Sequence, residues 1–439
     1  MPNLTKNQTI ELTVTASDGN GGGIARDRDG RVIFISGAIP GERVHALVLK
    51  VSKTAAWTKA TEIITSSPER IVPACIYFPK CGGCDYLHVS YEEELRQKLE
   101  RVNDAFARIG GLSLRAEKIL PCDSGRESYR NKAVFNAAPD GKVGFYRERS
   151  HDVIDIDRCM LQSDFSNKIP EIIRKWIAGT GISVYNETSG KGLLRKVFVR
   201  GTQIVIITKG KPHYTEELCG LLKTAFGENY SLMWNENRLE GNTVFGEKFY
   251  RIFGTEPEYA LLGLRFHAAP NSFLQVNTSQ AEKLYGIALD FAELSARDTA
   301  VDLYCGTGTL TLAIARQCAE VTGVEINPAA IQSAKENAAL NGITNAEFIV
   351  SDAAEVSLPD ADVIFADPPR KGLDASVIDA IANSSANRVV YISCDPATLA
   401  RDLKLFAGYG FKAHRAVCVD MFPGTRHIES VVSLSRVVN

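Results

Sequence analysis

Thr299-Ala300-Val301-Asp302-Leu303-Tyr304-Cys305-Gly306-Thr307-Gly308-Thr309 decides the architecture of the C-terminal part of this 439-residue chain. The apolar run 299–304 reads as a buried strand, 305–309 as a glycine-containing turn, and 310–315 as the opening of a helix. Strand, turn and helix in this order form a nucleotide-type cradle. Glycines let the backbone approach a ligand, and the helix N-terminus offers free N–H groups. Glu325 closes the next apolar strand, 319–324, nineteen positions after Gly306, where a carboxylate accepts both hydrogen bonds of a ribose diol. Ser351-Asp352 closes a third strand and Asp367-Pro368-Pro369-Arg370 a fourth, 363–366. Alternating strands and helices from Thr299 onward predict a doubly wound parallel sheet with its ligands at the carboxyl edge.

Cys394 shares that edge. The run 389–392 reads as a fifth strand, and Asp395 and Pro396 as the N-cap and first position of a helix carrying 397–406. A thiol at the positive end of a helix is expected to favour the thiolate, which makes a nucleophile. A lone cysteine is more simply a small buried hydrophobe, and it is the shared edge that favours the functional reading. Near the end, His427 and Glu429 flank Ile428 at the start of a last apolar strand, 431–434, so both point to one side of it. Beside a thiolate, Glu429 becomes a base. Upstream, Asn277 reads as the cap of a helix running to about 293, with Gln280 completing a capping box.

The length suggests about three domains, and 45% hydrophobic with 23% charged residues is ordinary for a soluble protein. The first twelve residues lack an apolar core of signal-peptide length, and no stretch is of membrane-spanning length. A cytoplasmic protein without membrane contact is expected. Ten cysteines in such a chain point to metal ligation and catalysis rather than disulfides. A net charge of -2 neither advertises nor excludes a nucleic-acid partner, since affinity depends on where positive charge gathers.

Residues 1–66 read as a small β-barrel of five short strands with glycine turns, of the kind that binds single-stranded nucleic acid; Lys50, Lys53, Trp57 and Lys59 offer cations and a stacking face. A central β-rich unit, 67–266, begins with Cys75-x5-Cys81-Gly82-Gly83-Cys84. Three cysteines so close suggest a shared metal or cluster needing a fourth ligand, with Cys159 the candidate and Cys122 its rival; iron–sulfur and zinc fit an all-cysteine set equally. A helix over 91–109, stopped by Gly110-Gly111, links this segment to the rest. From Arg126 to Arg149 six basic residues face three acidic ones, with Tyr129, Phe135, Phe145 and Tyr146 interleaved, a composition suited to phosphates and bases. Residues 267–439 form the third unit.

These parts resemble the RNA 5-methyluridine methyltransferases over nearly the whole length. The resemblance rests on a TRAM-like barrel, the cysteine segment, Phe273-Leu274-Gln275-Val276-Asn277, Asp302 to Gly308, Asp367-Pro368-Pro369-Arg370, Ser393-Cys394-Asp395-Pro396 and His427-Ile428-Glu429. It implies an S-adenosylmethionine site at Gln275, Tyr304, Thr309, Glu325, Asp352 and Asp367, Thr309 standing where some members carry an Asn. It implies Cys394 as nucleophile, Glu429 as base, and a [4Fe-4S] cluster on Cys75, Cys81, Cys84 and Cys159. RNA is the implied partner, 23S ribosomal RNA ahead of transfer RNA because barrel and cysteine segment are both present, and a monomer is expected. Two other readings are weaker. Amino-group methylation needs no thiol, and a non-enzymatic RNA-binding protein needs no intact donor cradle.

Overall fold

The computed structural model describes residues 4–241 and 243–437. Thr299–Leu303 lies inside an eight-stranded sheet whose order is Ala346–Val350, Glu320–Glu325, Thr299–Leu303, Val363–Ala366, Arg388–Ser393, Glu429–Arg436, Phe411–Val419 and Ile119–Leu120. Side chains alternate between its faces. Val301, Leu303, Ile364, Val389 and Tyr391 enter one core, while Ala300, Val363, Phe365, Val390 and Ile392 enter the other. Both faces are covered by helices, which explains why these strands read as unbroken apolar runs.

The first five strands are parallel, as expected. The sheet is not parallel throughout: Glu429–Arg436 runs antiparallel to both neighbours. Only residues 420–428 connect it to Phe411–Val419, too few for the crossover a parallel return requires. The reversal positions the site. Ser393 pairs with Ser430, so the start of the last strand comes to the carboxyl edge of the others and brings Glu429 beside Cys394.

The helix Tyr91–Ala105 is capped by Ser90, its last turn continues as a π-helical segment Phe106–Gly110, and Gly111 ends it with φ +64°. Although its position in the sequence suggests the central unit, Val102, Ala105 and Phe106 pack in the core with Leu399, Leu403 and Phe406 of the C-terminal unit. Ile119–Leu120 then adds a strand to that sheet. Residues 91–120 are therefore structural parts of the third unit.

The central unit holds a seven-stranded sheet ordered Val153–Asp155, Val143–Tyr146, Lys132–Ala137, Leu194–Arg200, Gln203–Thr208, Ser231–Glu236 and Lys248–Phe253. Two helices not anticipated from the sequence, Asp164–Thr180 and Thr215–Phe226, cover one face through Ile169, Ile172, Ile173, Trp176, Leu218 and Leu222. Among the described residues the N-terminal unit has six strands, one more than expected, around a core of Ile10, Val14, Ile33, Ile35, Val44 and Val48. On its surface Phe34 stacks on the part-exposed Trp57, and Lys50 Nζ lies 5.1 Å from the Trp57 ring centroid. Among the described residues no helix is long and apolar enough to cross a membrane.

A buried ion network ties these parts to the turn before Glu429. Lys98 Nζ lies 2.6 Å from Glu94 Oε1 and 2.6 Å from Asp420 Oδ1, with all three side chains fully buried. Glu94 also pairs with Arg126 and accepts the Gly424 N–H at 2.7 Å, and the Tyr91 hydroxyl donates to Asp420 at 2.8 Å. Arg126, expected among the RNA-gripping cations, is committed to this network instead. Removing one member leaves uncompensated buried charge. Lys98→Ala is accordingly expected to cost about 3–5 kcal/mol of stability, read as a lowered chemical-denaturation midpoint; an unchanged midpoint would show the network to be energetically neutral.

Candidate active site

Cys394 leaves the strand Arg388–Ser393 and precedes the helix Pro396–Gly408, as the sequence predicts. The Asp395 carboxylate accepts the Ala397 N–H at 2.9 Å and the Thr398 N–H at 3.0 Å. It therefore takes the helix's free donors for itself. The electrostatic expectation for Cys394 is reversed: burial, then the neighbouring Glu429 and Asp367 carboxylates, push its thiol up to about 12, against the pull of Arg370. Desolvation and two like charges outweigh a helix end whose donors are already occupied.

Glu429 is only 6% exposed. Burial, reinforced by Asp367 and opposed by Arg370, holds its carboxyl well above the usual range. Asp367, at the end of Val363–Ala366, is pushed up to about 7 by burial alone. His427, within 3.4 Å of an Arg370 guanidinium nitrogen, is pushed down to about 4 by burial and by Arg370, Arg426 and Arg101. It is a neutral imidazole at neutral pH.

These groups share a cavity of about 630 Å³. All six residues expected at the methyl-donor site, Gln275, Tyr304, Thr309, Glu325, Asp352 and Asp367, line it together with Cys394, His427 and Glu429. Glu325 accepts the Asn327 N–H at 2.9 Å and the Gly306 N–H at 3.3 Å, which fixes the glycine turn against the second strand. Tyr304 adopts φ +64°, an uncommon conformation for a bulky residue that is usually retained at sites of function. Asn277 caps its helix by accepting the Gln280 N–H. The expected capping box is only half made, because the Gln280 amide donates instead to the Leu120 and Asp420 carbonyls at 3.3 and 3.0 Å.

Sequence reasoning missed Asp302 as a separate site group. It lies beneath the cavity, accepts a 2.6 Å hydrogen bond from Thr311, and is raised to about 7 by burial. A carboxylate inside an otherwise apolar strand was the available signal. Arg101 and Arg426 gave none, because their proximity to Cys394 comes from elements far apart in sequence.

Cys75, Cys81, Cys84 and Cys159 line a separate cavity of about 640 Å³ in the central unit, together with Tyr77, Phe78, Arg130 and Lys132. Burial, then the proximity of Cys159, Cys81 and Cys75, pushes the Cys84 thiol up. Cys122 is not part of this lining; it is buried against Tyr129 and Leu161. Among the described residues no three His, Cys, Asp or Glu side chains converge as closely as a single metal ion requires. The cysteine segment also reaches the turn that precedes Glu429. Asp85 and Tyr86 donate their N–H groups to the Gly424 carbonyl at 2.9 and 3.0 Å, and Arg426 N–H donates to the Asp85 carboxylate at 2.9 Å.

A parallel sheet with a glycine-turn cradle, a carboxylate on the second strand and an Asp-Pro-Pro loop on the fourth define an S-adenosylmethionine-dependent methyltransferase. The comparisons specify it further. Residues 262–437 match the family described as tRNA (Uracil-5-)-methyltransferase, and residues 3–56 match the TRAM domain. An uncharacterised RNA methyltransferase of Clostridium acetobutylicum is 38% identical over 99% of this chain and 98% of its own. One from Halalkalibacterium halodurans is 40% identical over 98% of each. The crystal structure of Pyrococcus abyssi tRNA (uracil-54, C5)-methyltransferase with S-adenosyl-L-homocysteine superposes with a TM-score of 0.79 at 26% identity, covering 97% of this chain and 100% of that one. The chain belongs to the RNA (uracil-5-)-methyltransferase family and is an S-adenosylmethionine-dependent RNA methyltransferase.

The raised Cys394 thiol makes a direct prediction, because only the thiolate is nucleophilic. Iodoacetamide alkylation of Cys394 in the free protein, followed by peptide mass mapping, is expected to be slow at pH 7 and to accelerate about tenfold per pH unit up to pH 10. A rate that levels off near pH 8 would contradict the electrostatic account.

Proposed function

We propose that the protein forms 5-methyluridine in RNA, with Cys394 as nucleophile and Glu429 as base. The observation that carries this reading is the placement of a thiol and a buried carboxyl on one cavity with the donor-site residues. Uracil C5 is too weak a nucleophile to accept a methyl group unaided. The Cys394 thiol gives up its proton to solvent, its thiolate adds to C6, the C5=C6 electron pair moves toward O4, and the enolate-like C5 takes the methyl group as S-adenosylhomocysteine leaves. S-Adenosylmethionine, when bound, supplies the methyl group and a sulfonium charge that opposes the upward push on Cys394, Asp367 and Glu429. Once C5 carries the methyl, the Glu429 carboxylate takes the C5 proton, the C5=C6 bond re-forms, and the Cys394 thiolate leaves. The raised pKa suits Glu429 to that step, since a carboxylate freshly exposed to burial is a stronger base. The target must leave its stack to reach the sulfur, so the acceptor is a flipped uridine.

The expectation of 23S ribosomal RNA rests on barrel and cysteine segment occurring together. Pyrococcus abyssi tRNA (uracil-54, C5)-methyltransferase aligns over 97% of this chain, so transfer RNA stands beside ribosomal RNA as an acceptor to test. Mapping 5-methyluridine in ribosomal and transfer RNA from cells lacking the protein makes the assignment.

We further propose that Cys75, Cys81, Cys84 and Cys159 hold a [4Fe-4S] cluster. The support is that all four thiols line one cavity, an all-cysteine donor set of the kind that holds an iron–sulfur cluster. Bound there, the cluster would fix the segment that carries Asp85 to the catalytic turn. Anaerobically purified protein is expected to contain iron and acid-labile sulfide in equal amounts and to lose both in Cys84→Ser; zinc without sulfide would overturn the assignment.

Cys394→Ala is expected to abolish methylation while leaving S-adenosylmethionine binding intact, as measured by calorimetry; turnover near that of the wild type would remove the thiol from the mechanism. Glu429→Gln is expected to accumulate a covalent protein–RNA species visible on denaturing gels, because elimination stalls. Release of methylated product at the normal rate would show that another group takes the proton.

A further inference from the structure

Cys394 also opens onto a second cavity, about 430 Å³ in volume, on which Arg370 and His427 are likewise shared with the donor site. Its walls come from three places: Asn20 of the N-terminal unit, Arg101 and Arg108 of the helix and its π-helical end, and Asp395 and Arg426 beside the catalytic residues. Four guanidinium groups face two carboxylates there. Arg108 pairs with Asp104 at 3.2 Å, and Asp395 is occupied with its helix N-terminus. Arg370 and Arg426 have no ion-pair partner among the described residues. Arg101 donates from Nη1 to the Gly19 carbonyl at 2.8 Å, which ties the N-terminal unit to this wall, while its buried Nε has no hydrogen-bond partner.

The buried Arg101 Nε is a donor left without a partner, which is costly unless an acceptor joins it, and the exposed Arg370 and Arg426 add positive charge at the same cavity. A uridine presented to Cys394 carries a phosphodiester on each side, and cavities lined by arginine are where such a group is gripped. We propose that this cavity seats the phosphate adjacent to the target uridine, with Arg101 and Arg426 as its ligands and Arg108 at the mouth. The inference rests on the uridine reading and deepens it. RNA is held on one side of the nucleophile and the methyl donor on the other, and the N-terminal unit completes the RNA side through Gly19 and Asn20.

The test uses the full-length protein and a short RNA hairpin with one uridine in its loop, made also with a neutral methylphosphonate at either flanking phosphate. Arg426→Gln is expected to weaken hairpin binding about tenfold, to lower the slope of log Kd against log salt by about one, and to leave S-adenosylmethionine affinity unchanged. One of the two methylphosphonates is expected to cause the same loss in the wild type and no further loss in Arg426→Gln. Arg108→Gln, at an exposed position, is expected to give a smaller effect of the same kind. An unchanged salt slope in Arg426→Gln, or losses from Arg426→Gln and both methylphosphonates that simply add, would overturn the subsite. Formation of 5-methyluridine by the wild type on ribosomal and transfer RNA is scored separately, so failure of the uridine reading is distinguishable from failure of the phosphate site.

Discussion

The turn 420–428 is held from several sides by buried polar contacts. Asp420 is held by Lys98 and Tyr91, Met421 by the Asn277 side chain, Pro423 by the Tyr129 hydroxyl, Gly424 by Glu94 and Asp85, and Arg426 by Asp85. This short turn reverses the chain into the last strand and so delivers Glu429 to Cys394. A longer crossover would have made the strand parallel and carried its start to the opposite edge of the sheet. Buried polar contacts of this kind are costly when incomplete, which makes them effective at selecting one arrangement of a loop. The cysteine segment, the linking helix and the donor domain all contribute, so the site depends on elements far apart in the sequence.

The cavity is acidic in composition, and burial raises several of its acids. Asp302 and Asp367 are both raised to about 7, Glu429 lies well above its usual range, and Cys394 is raised to about 12. Burial is the leading cause in each case. Closely spaced acids in a desolvated site cannot all ionise, so the entry of a positively charged donor and the ionisation of the nucleophile are favourably coupled. The neutral His427 keeps a competing cation out of this balance even though arginines surround it.

Much of this was legible in the sequence where the signal is local. The apolar run 299–303, the glycines at 306 and 308, and the caps Asn277 and Asp395 each carry their structural meaning within a few residues, and all fold as they read. Effects that depend on distant partners were not legible. The sign of the Cys394 shift comes from its burial and then from Glu429, which the reversed strand brings close, and Asp367 on the neighbouring parallel strand. Arg126 looked like an RNA contact until Glu94 was placed beside it. The helix Asp164–Thr180 carries Ile169, Ile172, Ile173 and Trp176 at helical spacing, but Pro170 within it interrupts the local signal. The convergence of Arg101 and Arg426 on Cys394 has no trace in sequence spacing at all.

The central claim is a transient carbon–sulfur bond between Cys394 and uracil C6. RNA in which 5-fluorouridine replaces uridine tests it most directly, since a fluorine at C5 cannot be removed as the proton is. Incubation with S-adenosylmethionine, digestion and mass spectrometry are predicted to place a methylated fluoropyrimidine nucleotide on the peptide containing Cys394. An adduct on a different residue, or none while ordinary RNA is methylated under the same conditions, would contradict the account.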